Sequence, residues 1–188
     1  MSIRSFIALS LNEEIKKAVG ELIDGLRKTG ADVKWVTPRN LHLTLKFLGS
    51  IDESMVSPLS EHLREIAGRH SALSFSLNGT GVFPDQKRPR VIWIGLRMYE
   101  PLLEIFREID EALAGEGFEK ESRPFSPHIT IGRVRSLKGI DKLMLELVKY
   151  KGSSFGEQEV KTIHLMQSTL KPGGAEYSTL FEAPLRRI

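Results

Sequence analysis

His42-Leu43-Thr44-Leu45 and His128-Ile129-Thr130-Ile131 share one pattern, an imidazole and a hydroxyl alternating with aliphatic residues. Side chains i and i+2 of a strand lie on one face, about 6.5–7 Å apart. Each segment therefore reads as a strand that shows His and Thr on one face and sends Leu or Ile into a core. Two such strands facing one another would bring two titratable bases and two hydroxyl donors to one small anion. That combination suits acid–base chemistry on a phosphodiester.

The motifs lie 128 − 42 = 86 residues apart, close to half of the 188-residue chain. At that offset Pro38 falls on Pro124, Ser50 on Ser136, and Phe6-Ile7-Ala8-Leu9 on Ile92-Trp93-Ile94-Gly95. Stretches with helical periodicity follow both apolar runs, over 13–27 and 101–114. The pattern reads as a duplication in which each half contributes one His-x-Thr strand. Two long copies do not make a solenoid.

Working outward, period-2 runs predict strands over 3–11, 33–36, 41–48, 73–82, 90–96, 128–134, 160–167 and 177–181. Apolar stripes at helical spacing predict helices over 13–27, 55–67, 102–114 and 140–148. Asn12 suits an N-cap, and Gly49 is expected to stop the first motif strand. The elements mix without a strict βαβ rhythm. This points to an α+β fold with largely antiparallel sheets and outer helices.

Hydrophobic residues make up 40% and charged residues 27% of the chain, an ordinary globular balance. No apolar run approaches the roughly 18 residues of a membrane span. The chain enters its first strand with no cleavable signal pattern, and it has no cysteine. Disulfides, thiolate nucleophiles and cysteine metal sites are excluded, and the cytoplasm is the expected location. The length suits a single domain of two lobes over 1–188, expected to act as a monomer with no membrane partner. The net charge of +3 is mild, but its placement is informative. Lys34, Arg39 and Lys46 bracket the first motif, Arg123, Arg133 and Arg135 the second, and Lys87, Arg88 and Arg90 form a further cluster. Such cations draw a polyanion toward the motifs.

Hydrolysis of a cyclic phosphodiester needs a base on the attacking side of phosphorus and an acid on the leaving side. Imidazole, with a pKa near ~6.5, serves as either near neutral pH. Each role is worth roughly 10²–10⁴-fold. Thr44 and Thr130 can donate to the non-bridging oxygens where charge builds. No acid lies within either motif, so neither a metal nor another cofactor is expected. Lys46 shares the predicted face of His42 and Thr44 and is a candidate phosphate contact. Phe47 and Phe125, with Trp35, are candidates to stack on bases. His62, His70 and His164 have no paired Thr and are expected to be surface or structural.

The segments Trp35-Val36-Thr37-Pro38-Arg39-Asn40-Leu41-His42-Leu43-Thr44-Leu45-Lys46-Phe47-Leu48-Gly49 and Phe125-Ser126-Pro127-His128-Ile129-Thr130-Ile131-Gly132-Arg133 resemble the paired motifs of the 2H phosphoesterases. Within that superfamily the chain is most similar to the RNA 2′,3′-cyclic phosphodiesterases, also known as 2′-5′ RNA ligases. The resemblance implies a bilobal, pseudo-twofold fold with its cleft between two sheets. It implies hydrolysis of RNA 2′,3′-cyclic phosphate ends to 2′-phosphomonoesters, with His42 protonating the leaving 3′ oxygen and His128 activating water. The residues alone do not separate those two roles. The implied partners are RNAs with a 2′,3′-cyclic phosphate or a 2′-5′ linkage, tRNA fragments among them. The alternatives are reversible 2′-5′ ligation, a 3′→5′ exonuclease, or a non-catalytic nucleotide-binding module. The family's arginine falls on Arg133, a phosphate or RNA contact. Simple alternation from His128 puts Arg133 on the wrong face, so it reaches the cleft only if the strand bulges near Gly132.

Overall fold

Nine strands and four helices make up the computed structural model, which describes residues 2–97 and 100–187. The strands are β1 (Ser2–Ser10), β2 (Val33–Trp35), β3 (His42–Asp52), β4 (Leu73–Phe83), β5 (Val91–Leu96), β6 (His128–Val134), β7 (Ser154–Val160), β8 (Thr162–Lys171) and β9 (Gly174–Pro184). The helices are α1 (Glu13–Arg27), α2 (Val56–Arg69), α3 (Glu100–Gly115) and α4 (Ile140–Val148). One sheet runs β3-β1-β8-β9 and the other β2-β6-β5-β4-β7, every ladder antiparallel. The α+β expectation with two antiparallel sheets holds.

Neither sheet is one half of the sequence. The first takes β1 and β3 from the N-terminal half and β8 and β9 from the C-terminal end. The helices cross over as well. α1 follows β1 yet packs on β7 of the second sheet, and α3 follows β5 yet packs on β3 of the first. α2 covers β8 and β9, and α4 touches β4. This interleaving binds the lobes through one apolar core. Ile15, Val19, Leu22, Ile23 and Leu26 of α1 join Leu43 and Leu45 of β3 and Ile129 and Ile131 of β6 in it.

Local chemistry sets the ends of α1. The Asn12 side chain accepts the Ile15 N–H at 2.8 Å, a cap worth about 1 kcal/mol. The Asn12 backbone N–H donates to Gln158 Oε1 at 2.6 Å, which fastens the helix start to β7. Strand β7 is absent from the sequence expectations. It is an edge strand whose alternation is broken by Gly156 at φ 113°, with a register shift against β4 beside it. Strand β3 also runs past its expected stop, because Gly49 takes a left-handed φ of 71° and lets the ladder continue to Asp52.

The two motif strands carry the same irregularity. In β3, Thr44 pairs with Ala8 but Lys46 with Ile7, so Leu45 is an extra residue. In β6, Thr130 pairs with Trp93 but Gly132 with Ile92, so Ile131 is the extra residue. The bulges match at the 86-residue offset. The partner strands, however, match Ile7, Ala8, Leu9 and Ser10 to Ile92, Trp93, Ile94 and Gly95. The repeat is therefore present with a one-residue slip in β1 relative to the sequence alignment. With that slip, Ile7, Leu9, Ile92 and Ile94 are the fully buried members.

Candidate active site

β3 and β6 approach each other where the sheets meet, with Cα atoms within 8 Å. Along both strands the aliphatic motif residues are buried. His42, Thr44, His128 and Thr130 are half-buried on the opposite faces. Each imidazole is held in the same way. His42 Nδ1 lies 2.7 Å from the carbonyl oxygen of Asn40, and His128 Nδ1 lies 2.7 Å from that of Ser126. A carbonyl oxygen only accepts, so each Nδ1 carries the hydrogen. Each Nε2 is then the atom that can take or give a proton.

The two rings sit in different surroundings. Phe6 lies 4.9 Å from the His42 ring centroid, and Tyr177 stands edge-on at 5.3 Å. Burial holds His42 below its ordinary pKa, the Asn40 hydrogen bond opposes this, and the Arg133 charge lowers it further. His128 has Phe83 edge-on at 5.0 Å, and Phe83 in turn packs on Trp93 at 5.1 Å. The Tyr177 hydroxyl is pushed up by burial against the pull of Arg133 and Arg4, so it remains a donor.

Arg133 therefore acts on both His42 and Tyr177. The bulge at Ile131 is what turns it there. The extra residue inverts the alternation, and Arg133 leaves the core side and becomes exposed. Gly132 makes this fit, since a Cβ there would stand 2.7 Å from Val33 Cγ1 and 3.0 Å from Trp35 Cε3. Phe47 occupies the matching position in β3. It pairs with Phe6, is 67% exposed, and lies 6.3 Å from the Phe6 ring.

Lys46 departs from its expected role. The bulge at Leu45 breaks the alternation that would have put it beside Thr44. Its ammonium instead pairs with Asp110 of α3 and donates to the Glu119 carbonyl at 2.8 Å. The Lys46 side chain is 9% exposed and that of Asp110 15%, so this charge is committed within the protein. Asp110 also accepts the Glu121 N–H at 3.1 Å, which pins the irregular segment leading to His128. Phe125 departs too. Its ring stacks on Phe106 of α3 at 4.0 Å and 11°, where it anchors that segment.

The sequence reading missed Tyr177, Phe6, Phe83 and Arg4 as neighbours of the site. Tyr177 comes from β9, 135 residues (177 − 42) from the motif it touches, and nothing in its local pattern marks it. His62 and His70 are engaged by Glu116 and Glu108 on the outside of the fold. His164 lies on β8 opposite Ala8, its Nδ1 buried without a hydrogen bond. Among the described residues, no three His, Cys, Asp or Glu side chains come together as a metal site, and no helix is long and apolar enough to cross a membrane.

Comparison with known proteins agrees with this architecture. A model of the LigT-like phosphoesterase family matches residues 9–93 and 97–177. An RNA 2′,3′-cyclic phosphodiesterase of Methanocaldococcus jannaschii is 40% identical over 95% of this chain and 99% of its own. Another protein of that name, from Thermotoga maritima, is 37% identical over 95% and 94%. Among solved structures, TT0787 of Thermus thermophilus superposes with a TM-score of 0.82 at 28% identity, covering 98% of both chains. LigT of E. coli complexed with 3′-AMP gives 0.74 at 25%, covering 98% and 99%. The chain belongs to the LigT-like phosphoesterases, within the 2H phosphoesterase superfamily.

Proposed function

We propose that this protein hydrolyses RNA 2′,3′-cyclic phosphate ends to 2′-phosphomonoesters by two-histidine acid–base catalysis without a metal, the whole chain working as one two-lobed domain. The carrying observation is the matched pair of Nδ1 hydrogen bonds, to Asn40 and Ser126, which leaves two Nε2 atoms for proton transfer. The relatives named RNA 2′,3′-cyclic phosphodiesterase supply the substrate class.

His128 Nε2 takes a proton from water as its oxygen bonds to phosphorus. The bond from phosphorus to the 3′ oxygen breaks, and His42 Nε2–H protonates that oxygen. Afterwards His128 is charged and His42 neutral, and proton exchange with solvent restores both. Thr44, Thr130 and Arg133 meet the non-bridging oxygens, where a preorganised donor counts most as charge builds. The lowered pKa of His42 makes it a stronger acid and favours its neutral form in the free enzyme. Arrival of the phosphate anion offsets the Arg133 charge and draws the proton back at the moment it is needed.

The test is product identification from an RNA ending in a 2′,3′-cyclic phosphate, with EDTA present. A 2′-monoester formed at the same rate with or without chelator is the expected result. A 3′-monoester, or activity lost with the chelator, overturns the reading.

A further inference from the structure

A pocket of about 430 Å³ opens beside His42, within the roughly 300–1,000 Å³ typical of small-molecule sites. All of its lining residues come from the first sheet, from α1, or from the turn at 38–41, and none from β6. It is thus distinct from the space between the two motif strands, although His42 borders both. The proton-transfer scheme uses neither its cations nor its apolar wall.

Its chemistry is divided. Leu41, Met166 and Tyr177 supply apolar and aromatic surface, while Lys16 and Arg39 supply positive charge. The Lys16 ammonium is 2.8 Å from Glu13, whose side chain is 88% exposed. The Lys16 side chain is itself only 19% exposed, but Glu13 stands largely in water, so their pairing is screened and yields readily to a phosphate. Glu176, the one carboxylate lining the pocket, stands 3.9 Å from the Lys171 ammonium. An apolar wall beside two cations fits a nucleotide unit, with base or ribose on the wall and a phosphodiester on the cations. The pocket is also coupled to His42. Asn40 Nδ2 donates to the Ala175 carbonyl at 2.8 Å, and the Asn40 carbonyl holds His42 Nδ1. A ligand seated here bears on the backbone that orients the imidazole, so binding energy gained away from phosphorus can be expressed at the reacting centre.

We propose that this pocket holds the nucleotide adjoining the one that carries the cyclic phosphate, with Lys16 and Arg39 on the connecting phosphodiester, so that the enzyme selects an RNA end over a mononucleotide. The proposal rests on the hydrolytic reading above. The test compares kcat/KM for a nucleoside 2′,3′-cyclic phosphate and for a dinucleotide ending in one. The dinucleotide should be preferred by about tenfold or more, the scale of a charge-assisted contact. In Lys16→Ala/Arg39→Ala that preference should collapse toward unity, and the steeper salt dependence of the dinucleotide reaction should go with it. Circular dichroism reports the fold of the variant. Equal turnover of the two substrates by the parent, or a preference that persists in the folded double variant, overturns the subsite. Failure to hydrolyse either substrate overturns the hydrolytic reading instead.

Discussion

Arg133 and His42 are coupled across the cleft: burial chiefly lowers the proton affinity of the imidazole at the start of β3, and the guanidinium near the end of β6 lowers it further. The coupling predicts a pH signature. With His42 as acid, the pKa it contributes to the pH profile of kcat/KM lies below that of an ordinary histidine. Arg133→Ala removes part of the lowering and raises that pKa, while losing about ten- to a hundredfold in kcat/KM from the phosphate contact. A His42 pKa that is unchanged or lower in the variant would show that Arg133 does not act on His42.

Lys46 and Asp110 bind β3 to α3 and to the segment entering β6. Removing one partner of a largely buried pair strands the other charge. Lys46→Met or Asp110→Asn should each cost stability, toward the low end of the roughly 3–5 kcal/mol seen for such breaks. The double variant should be less unstable than the sum of the two. Chemical denaturation of all four proteins checks this, and additive losses would mean the pair is uncoupled.

Gly132→Ala places a methyl against Val33 and Trp35 of β2. Overpacking of this kind costs roughly 1–3 kcal/mol, and here it also shifts the bulge that aims Arg133. Melting temperature and kcat/KM should both fall. Gly115→Ala, whose methyl meets nothing within 4 Å, should leave both unchanged. A Gly132→Ala protein as stable and active as the parent would remove the bulge from the account of Arg133.

His42 and His164 both have pKa values lowered mainly by burial. The unfolded chain then binds more protons than the folded one below about pH 6.5. Stability from the neutral rings is complete above that pH and declines as acid is added, down to the folded pKa values. His164→Gln should flatten the decline when thermal unfolding is followed from neutral to mildly acidic pH. An unchanged slope would place the acid sensitivity elsewhere.

Much of this was legible in the chain. The His-x-Thr spacing located the motif strands, and the aliphatic stripe of α1 fixed its limits at 13–27 because period and cap agree there. The bulge in β3 was not legible and the one in β6 only as a condition on Arg133, yet the bulges decide the face of everything after them. Plain alternation sent Lys46 to the cleft and Arg133 to the core, and one extra residue in each strand inverted both. Gly132 was the local hint on β6, whereas β3 carries Lys46 at that position and offered none. Edge strand β7 hid because only part of it is buried, and Tyr177 hid because its contact with His42 is purely tertiary.

The two imidazoles are tested most directly by single-turnover hydrolysis of an RNA 2′,3′-cyclic phosphate by His42→Ala and His128→Ala, with circular dichroism on both. The expected result is a loss of about 10²–10⁴-fold or more in each folded variant. Either variant folded and turning over at close to the parental rate would contradict the assignment of proton transfer to this pair.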